Sequence, residues 1–424
     1  MSAGQAGGRA SAASSWRPGE ARTSTVLARA AWSRIAEPAD RAAGALLRTV
    51  GPVDALGWLQ SAGTGDDAVR HAVSRLCEVI GVDDRTTVRR LAAAVARWAP
   101  RVATTDPARD LDNLARLGGR LVVPEDDEWP TGLLDLGDEG PACLWVRGTG
   151  RVDETLRRTV SVVGARASTD YGDRVAGELS VGLVAAGCTT VSGGAYGIDA
   201  VVHRSTLAVD GTTVAFLAGG PDRLYPAGNA DLLRGVLDGA GLVLSELPPG
   251  SVPSRVRFLR RNRLIAASGR STVVVEAAWR SGSLVTARLA AGIGRPVGAV
   301  PGPVTAAGSA GCHRLLREGV AVCVTDVDEV LELSGAAGEG LDGIAATGAL
   351  RDDADTRETD GLDAPGKAAY DALPLRRPVP VDALVRSSGL APHELMAALG
   401  VLEVRGLAVR STGGWSRAAS TGWS

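Results

Sequence analysis

Lysine is almost missing from this chain: of 46 basic residues only Lys367 is a lysine, and all the others are arginine. Aromatic residues are scarce apart from nine Trp, while Ala, Gly and Val are heavily used. The bias points to a GC-rich genome, so arginine abundance by itself is weak ground for phosphate binding, and position has to decide. Cysteine is sparse too. The five (Cys77, Cys143, Cys188, Cys312, Cys323) are scattered, odd in number and never form a CxxC pair, which argues against a disulfide scaffold or a zinc site. No apolar run reaches the roughly 18–20 residues a membrane span needs. Residues 1–25 are small and polar, lack the apolar core of a signal peptide, and are expected to be a disordered tail on a cytoplasmic protein.

What is present implies two or three soluble domains in 424 residues. The net charge of −2 at first argues against a nucleic-acid binder. From Val26 to Ala99 apolar residues recur every three or four positions, so 26–115 is expected to be helical. The turn Thr49–Val53 resembles part of a helix-hairpin-helix, although the usual second Gly is absent and generic helix packing accounts for it. Residues 116–332 carry continuous Val-rich runs, including Val160–Val163, Thr189–Ser192, Thr213–Leu217, Leu242–Ser245, Thr272–Val275 and Val297–Val300. Helical segments separate most of them. That alternation predicts an α/β domain with a parallel, extended Rossmann-like sheet covered on both faces. Residues 333–365 have the composition of an acidic linker, and 366–417 read as three short helices and a hairpin, a winged helix.

In such sheets ligands bind beyond the carboxyl ends of the strands. Three strand-to-helix junctions there concentrate Gly and hydroxyl residues: Gly164-Ala-Arg166 with Ser168; Ser192-Gly193-Gly194-Ala-Tyr196-Gly197; and Glu276 followed by Ser281-Gly282-Ser283. Each sits where a helix begins and unpaired N–H groups face outward, so together they point to an anionic ligand touching several phosphates. Ordinary tight turns are the plainer alternative. None of the three junctions matches GxGxxG or GxxxxGK[ST], so neither a dinucleotide nor ATP is expected as a cofactor. Arg166 can offer a bidentate fork or form a surface salt bridge. The densest signal runs from Arg255 to Arg263, with Arg257, Arg260 and Arg261 between them and Phe258 and Asn262 interleaved. It combines positive charge with a base-stacking surface, and the alternative is a solvated charged face. Tyr225 with Asn229 could stack on a base or cap a helix. Asp199 and His203, four apart, are read as a structural hydrogen-bonded pair rather than acid and base. Glu246 and Glu276 are read as positioning arginines or backbone N–H groups.

These segments resemble the DNA-processing protein DprA family, also called Smf, over roughly residues 117–330. The motifs are Val162–Gly172, Ser192–Asp199 with His203, Leu224–Asn229, Ser245-Glu246 with Pro248–Gly250, Phe258–Ala266, Val275-Glu276 with Ser281–Ala287, and Gly294–Val297 with Val300–Gly302. The resemblance implies a homodimer that binds single-stranded DNA with little sequence preference and loads the RecA recombinase during natural transformation, with no catalytic step. It also implies that Arg166 and the Ser192–Gly197 loop hold phosphates, with Arg260, Arg261, Arg263 and Ser281–Ser283 forming the basic pocket. Tyr196 stands where the family often has Lys or Arg, trading a phosphate contact for a stacking one. Ala165 and Leu259 replace a common Ser and Pro. The presumed recognition helix Pro392–Val404 holds Glu394 and Glu403 but no Arg or Lys, favouring protein contact over duplex binding. Two rival readings are a nucleotide phosphoribohydrolase similar to the LOG proteins, whose Pro-Gly-Gly-x-Gly-Thr-x-x-Glu motif is absent here, and a winged-helix regulator of duplex DNA.

The bulk charge hides a segregation. Residues 251–320 hold eleven arginines against Glu276 and Glu318, whereas 321–364 hold twelve acids against Arg351 and Arg357. Such a linker could compete with DNA for the basic pocket.

Overall fold

A computed structural model describes residues 18–62, 66–79, 81, 84–335, 362–374, 378–411 and 413–418, with side chains from residue 22 and excepting Asp66. The expected acidic linker lies outside the described residues from 336 to 361, as does the expected tail up to residue 17. The chain divides into two compact units, Met1–Ala336 and Ala337–Ser424.

The first unit opens with six helices: α1 (Pro18–Ile35), α2 (Arg41–Val50), α3 (Pro52–Ser61), α4 (Asp66–Val79), α5 (Arg85–Val102) and α6 (Pro107–Arg116). Helix α1 begins inside the stretch expected to be a tail. Its later turns carry Ala31, Trp32 and Ile35 into a core with Leu46, Leu59, Val73 and Trp98, so the apolar periodicity recruits the preceding residues. Aspartates set the helix starts. Asp40 accepts from the Ala42 and Ala43 N–H groups, and Asp84 from those of Thr86 and Thr87.

Nine strands form the sheet of this unit: β1 (Gly119–Val122), β2 (Leu144–Arg147), β3 (Thr159–Val163), β4 (Thr189–Ser192), β5 (Thr213–Phe216), β6 (Leu242–Ser245), β7 (Ser271–Val274), β8 (Val297–Ala299) and β9 (Val322–Cys323). Their order is β1-β2-β6-β5-β4-β3-β7-β8-β9. From β6 to β9 every pairing is parallel, while β1 and β2 add an antiparallel edge next to β6. Besides a four-residue helix at Val152–Thr155, the helices between strands are α7 (Asp170–Ala185), α8 (Ile198–Ala208), α9 (Ala230–Asp238), α10 (Arg255–Ser268), α11 (Ser283–Gly292) and α12 (Ala310–Arg317), and α13 (Val327–Ser334) follows β9.

The central strands of the sheet are buried on both faces. Val163, Val191 and Val274 pack with Leu264 and Ile265 of α10 and Leu284 and Ala287 of α11. The alternate residues Val160, Val162, Val273 and Val275 pack with Leu179 and Leu183 of α7 and Ile198 and Val202 of α8. This is the period of two that turns a continuous Val run into a strand buried on both sides. The helical region is joined to the sheet by polar contacts: the Trp145 indole donates to Ser33 Oγ at 3.1 Å, and Arg34 donates to Asp110 and to the Pro249 carbonyl.

The second unit contains α14 (Ala364–Ala372), α15 (Val381–Ser388), α16 (Pro392–Val404) and an antiparallel hairpin, β10 (Ala408–Ser411) with β11 (Gly414–Arg417). Leu384, Leu395, Leu399, Leu402 and Trp415 form its core. Three helices and a two-stranded wing make it a winged helix. Among the described residues no helix is long and apolar enough to cross a membrane.

One ion pair inside the first unit is almost completely shielded from solvent. Arg263 of α10 donates both Nη groups to Glu246 at 2.7 and 2.6 Å, and its Nε to the Glu139 carbonyl. Replacing one partner of such a pair strands the other charge at a cost of about 3–5 kcal/mol, whereas replacing both with apolar groups is often close to neutral. Arg263→Met is therefore expected to lower stability by about that amount in urea titration, and adding Glu246→Leu to recover most of the loss.

Candidate nucleic-acid interface

Chain direction around β3 creates the site. The chain runs from β3 outward through β4, β5 and β6, then returns through α10 to β7 on the other side of β3. The loops after β3, β4, β5 and β7 all leave the same carboxyl edge, and a switch point of this kind leaves a crevice between diverging loops.

Arg261 forms the floor. It is buried, and its Nη1 donates to the Gly193 carbonyl at 2.7 Å and to the Phe216 carbonyl. Burial, with repulsion from neighbouring Arg166, pulls its pKa down to about 10 against the attraction of Asp199, so the guanidinium is still charged at neutral pH. The face of Phe258 lies 4.9 Å from the Arg166 Cζ and 5.7 Å from that of Arg261. Tyr225 completes the cluster, its ring centroid 5.9 Å from that of Phe258 and its side chain substantially exposed. Arg166 itself is exposed and has no carboxylate partner among the described residues. Two guanidiniums thus flank one aromatic ring, with Asp199 as the nearby counter-charge.

The β4–α8 loop is held from below. Asp199 Oδ2 accepts from the Gly193 and Ala195 N–H groups at 3.2 and 3.3 Å, while Asn229 Nδ2 donates to the Gly194 and Ala195 carbonyls at 3.0 and 2.9 Å. Two glycines here are dictated by geometry. A side chain at Gly193 would meet Arg261 Nη2 at 2.6 Å, and Gly197, at φ 73° and ψ −132°, would place its Cβ 2.2 Å from the Ala165 carbonyl. Tyr196, half exposed, rises from this loop with its hydroxyl near Gly228.

Other expected contacts are engaged elsewhere. Arg263 is sealed in the core against Glu246, because consecutive residues of a helix point about 100° apart and α10 turns it inward. Arg260 donates to the Pro38 carbonyl at 2.6 Å, facing the α1–α2 loop, and Arg257 pairs with Glu37. Ser192 Oγ bridges to the Val162 carbonyl inside the sheet, and Ser168 Oγ donates to Asp173. Asn262 accepts from Arg261 Nε, and the Ser281 and Ser283 hydroxyls bond each other at 2.7 Å on either side of Gly282. Of the basic run, Arg261 is the one that reaches the crevice floor.

Glu246 and Glu276 do position neighbours, as expected: Glu276 accepts the Thr169 N–H at 2.9 Å and fixes the start of α7. Asp199 and His203 do not bond each other. His203 Nδ1 meets Thr213 Oγ1 at 2.7 Å on β5, whereas Asp199 holds the β4–α8 loop. Arg223 and Arg280, not singled out beforehand, lie exposed in the loops after β5 and β7 without ion partners among the described residues. Their signal was there to be used, since each sits in a loop at the carboxyl edge.

A mostly parallel sheet carrying a cationic, aromatic-lined crevice at its switch point defines an extended Rossmann-like protein. The family of the DNA recombination-mediator protein A matches residues 120–335, and the DprA winged helix domain matches residues 353–414. A DprA-type DNA processing protein of Mycobacterium tuberculosis is 41% identical over 401 residues, covering 92% of this chain and 94% of that one. Protein Smf of Escherichia coli is 40% identical over 212 residues, covering 50% and 56%. The crystal structure of DNA processing protein A from Streptococcus pneumoniae superposes with a TM-score of 0.52 at 30% identity, covering 66% of this chain and 96% of that one. The chain belongs to the DprA (Smf) family of DNA-processing proteins.

Burial pushes the His203 pKa down from 6.5 to about 4, with Arg261 adding repulsion. Between those values the unfolded chain binds a proton that the folded one refuses, so this stability is lost as pH falls from 6.5 toward 4. Asp199, whose pKa burial raises, works in the opposite sense. His203→Asn isolates the histidine. The stability of the wild type relative to this variant is expected to shrink by up to about 3 kcal/mol across that window in thermal melts.

Proposed function

We propose that the crevice binds single-stranded DNA without strong sequence preference, and that the chain acts as a homodimer that protects this DNA and loads RecA onto it. The observation that carries the reading is the cluster of Arg166, Arg261, Phe258 and Tyr225. A guanidinium with no carboxylate partner attracts a phosphate, and an adjoining ring takes a base through its π face, which every base possesses. Arg166 is the phosphate contact, Phe258 and Tyr225 form the stacking platform, and Tyr196 adds a second stacking surface. Arg261 supplies charge from beneath. The Gly193–Gly197 loop contributes backbone donors, its N–H groups at Gly194, Tyr196 and Gly197 having no acceptor among the described residues. In this scheme Ser192, Asn229 and Arg263 support the site without touching DNA, and so does the Ser281–Ser283 pair.

Binding rather than catalysis fits the donor set. Glu276, the carboxylate at the end of β7, is occupied by the Thr169 N–H and hydroxyl. Catalytic turnover of nucleoside monophosphates, abolished by Glu276→Gln, would favour the phosphoribohydrolase reading instead. Helix α16 carries Glu394 and Glu403 and no Arg or Lys, so the winged helix is assigned to protein contact. Removing residues 360–424 is expected to leave most DNA affinity in place.

The main test is a titration of oligo-dT against salt. Affinity is expected to fall with a slope of about −0.7 per phosphate neutralised, and Arg166→Ala to make that slope shallower by about 0.7. Phe258→Ala is expected to weaken binding by about 1–3 kcal/mol while leaving the slope unchanged, because stacking releases no counterions. A flat salt response would overturn the reading. RecA filament growth on oligo-dT coated with single-strand-binding protein, with and without this chain, tests the loading step.

A further inference from the structure

We infer that a second cationic cleft, on the helical side of α10, continues the path of the bound strand away from the crevice. This rests on the single-stranded DNA reading above.

The cleft has a volume of about 550 Å³ and lies between α5, the α1–α2 loop and α10. Arg41, Arg90, Arg97, Arg101 and Arg260 line it, against two carboxylates, Glu37 and Asp40. Helix α5 contains no acid in its 18 residues, and Arg90, Arg97 and Arg101 fall at helical spacing on the face that borders the cleft.

The two carboxylates do not neutralise this charge. Asp40 already accepts from two N–H groups at the start of α2 and from the Trp98 indole at 3.0 Å, and Arg97 meets it at 3.3 Å. Glu37 is shared between Arg101 at 3.0 Å and Arg257 at 2.9 Å. Arg41 turns to Glu139 at the rim. Arg260 meets only a neutral carbonyl, and Arg90 is exposed with no ion partner among the described residues. Surplus guanidinium charge in a concave site favours a polyanion.

Continuity with the crevice argues that the polyanion is the same strand. Arg260 and Arg261 are neighbours on α10, one directed to the α1–α2 loop and the other to the Gly193 loop. The helix is therefore a shared wall. A strand whose bases stack on Phe258 can pass over this wall and place its next phosphates opposite Arg260, Arg97 and Arg90.

The test uses the full chain and two oligo-dT lengths: the shortest that the wild type retains, and one several times longer. Arg90→Glu and Arg97→Gln are expected to leave the short oligonucleotide bound as before. On the long one each should make the salt slope shallower by about 0.7, and Arg90→Lys should restore it. Equal effects on both lengths, or none on either, would overturn the cleft assignment. If poly-glutamate is held by the wild type and released by Arg90→Glu while DNA binding is untouched, the cleft belongs to an acidic protein and the proposal falls. A wild type that retains no oligo-dT removes the single-stranded DNA reading itself. A wild type that binds, and loses both lengths with Arg166→Ala but neither with the α5 variants, removes the cleft alone.

Discussion

The buried guanidinium of Arg261 is the contact on which the rest of the crevice depends. It joins three pieces of chain that are distant in sequence: α10, the end of β5 at Phe216, and the β4–α8 loop at Gly193. Burying a cation is costly unless its hydrogens find acceptors and a counter-charge stands near. Two carbonyls provide the acceptors and Asp199 the charge. The same Asp199 then takes two loop N–H groups, and Asn229 closes the loop from the other side. Because the guanidinium lies so close, residue 193 cannot carry a side chain. A backbone strapped down in this way can present its outward N–H groups to a ligand without an ordering step at binding.

Much of the fold was legible because one physical signal dominates it. A strand buried on both faces must be apolar throughout, and the Val-rich runs say so, down to Val160–Val163 and Thr272–Val275. The edge pair β1 and β2 was harder to read as part of the same sheet. Nothing local records that β2 runs antiparallel to β6 and β1 antiparallel to β2. At the amino terminus, composition suggested a tail through residue 25, yet Ala31, Trp32 and Ile35 anchor a helix that extends back to Pro18.

The site was legible in its loops and less so in its charges. Glycines at 193 and 197 mark places where another chain segment comes too near for a side chain, and that meaning is local. The basic run Arg255–Arg263 invites reading as one patch, which would hold for an extended segment. On a helix the same residues are dealt round the axis. Arg257 goes to Glu37, Arg260 to the α1–α2 loop, Arg261 to the crevice and Arg263 to the core. Asp199 and His203 fail for a related reason: the i, i+4 spacing permits a contact, but each side chain found a better partner on a different strand or loop.

That dispersal also changes what the charge segregation means. A paired arginine such as Arg263 acts at a distance as a dipole whose field dies away quickly, however many such residues a segment contains. Long-range attraction comes from cations left unmatched, here Arg166 in the crevice and Arg90 and Arg260 beside it. In physiological salt a charge is felt over roughly 8 Å, so sites separated by one helix overlap in their fields. The segment charge of residues 251–320 therefore overstates the local pull, and the bulk charge of −2 understates it. The quantity that governs capture of a polyanion is the density of unpaired guanidiniums along its path, which the formal charge of a segment does not measure.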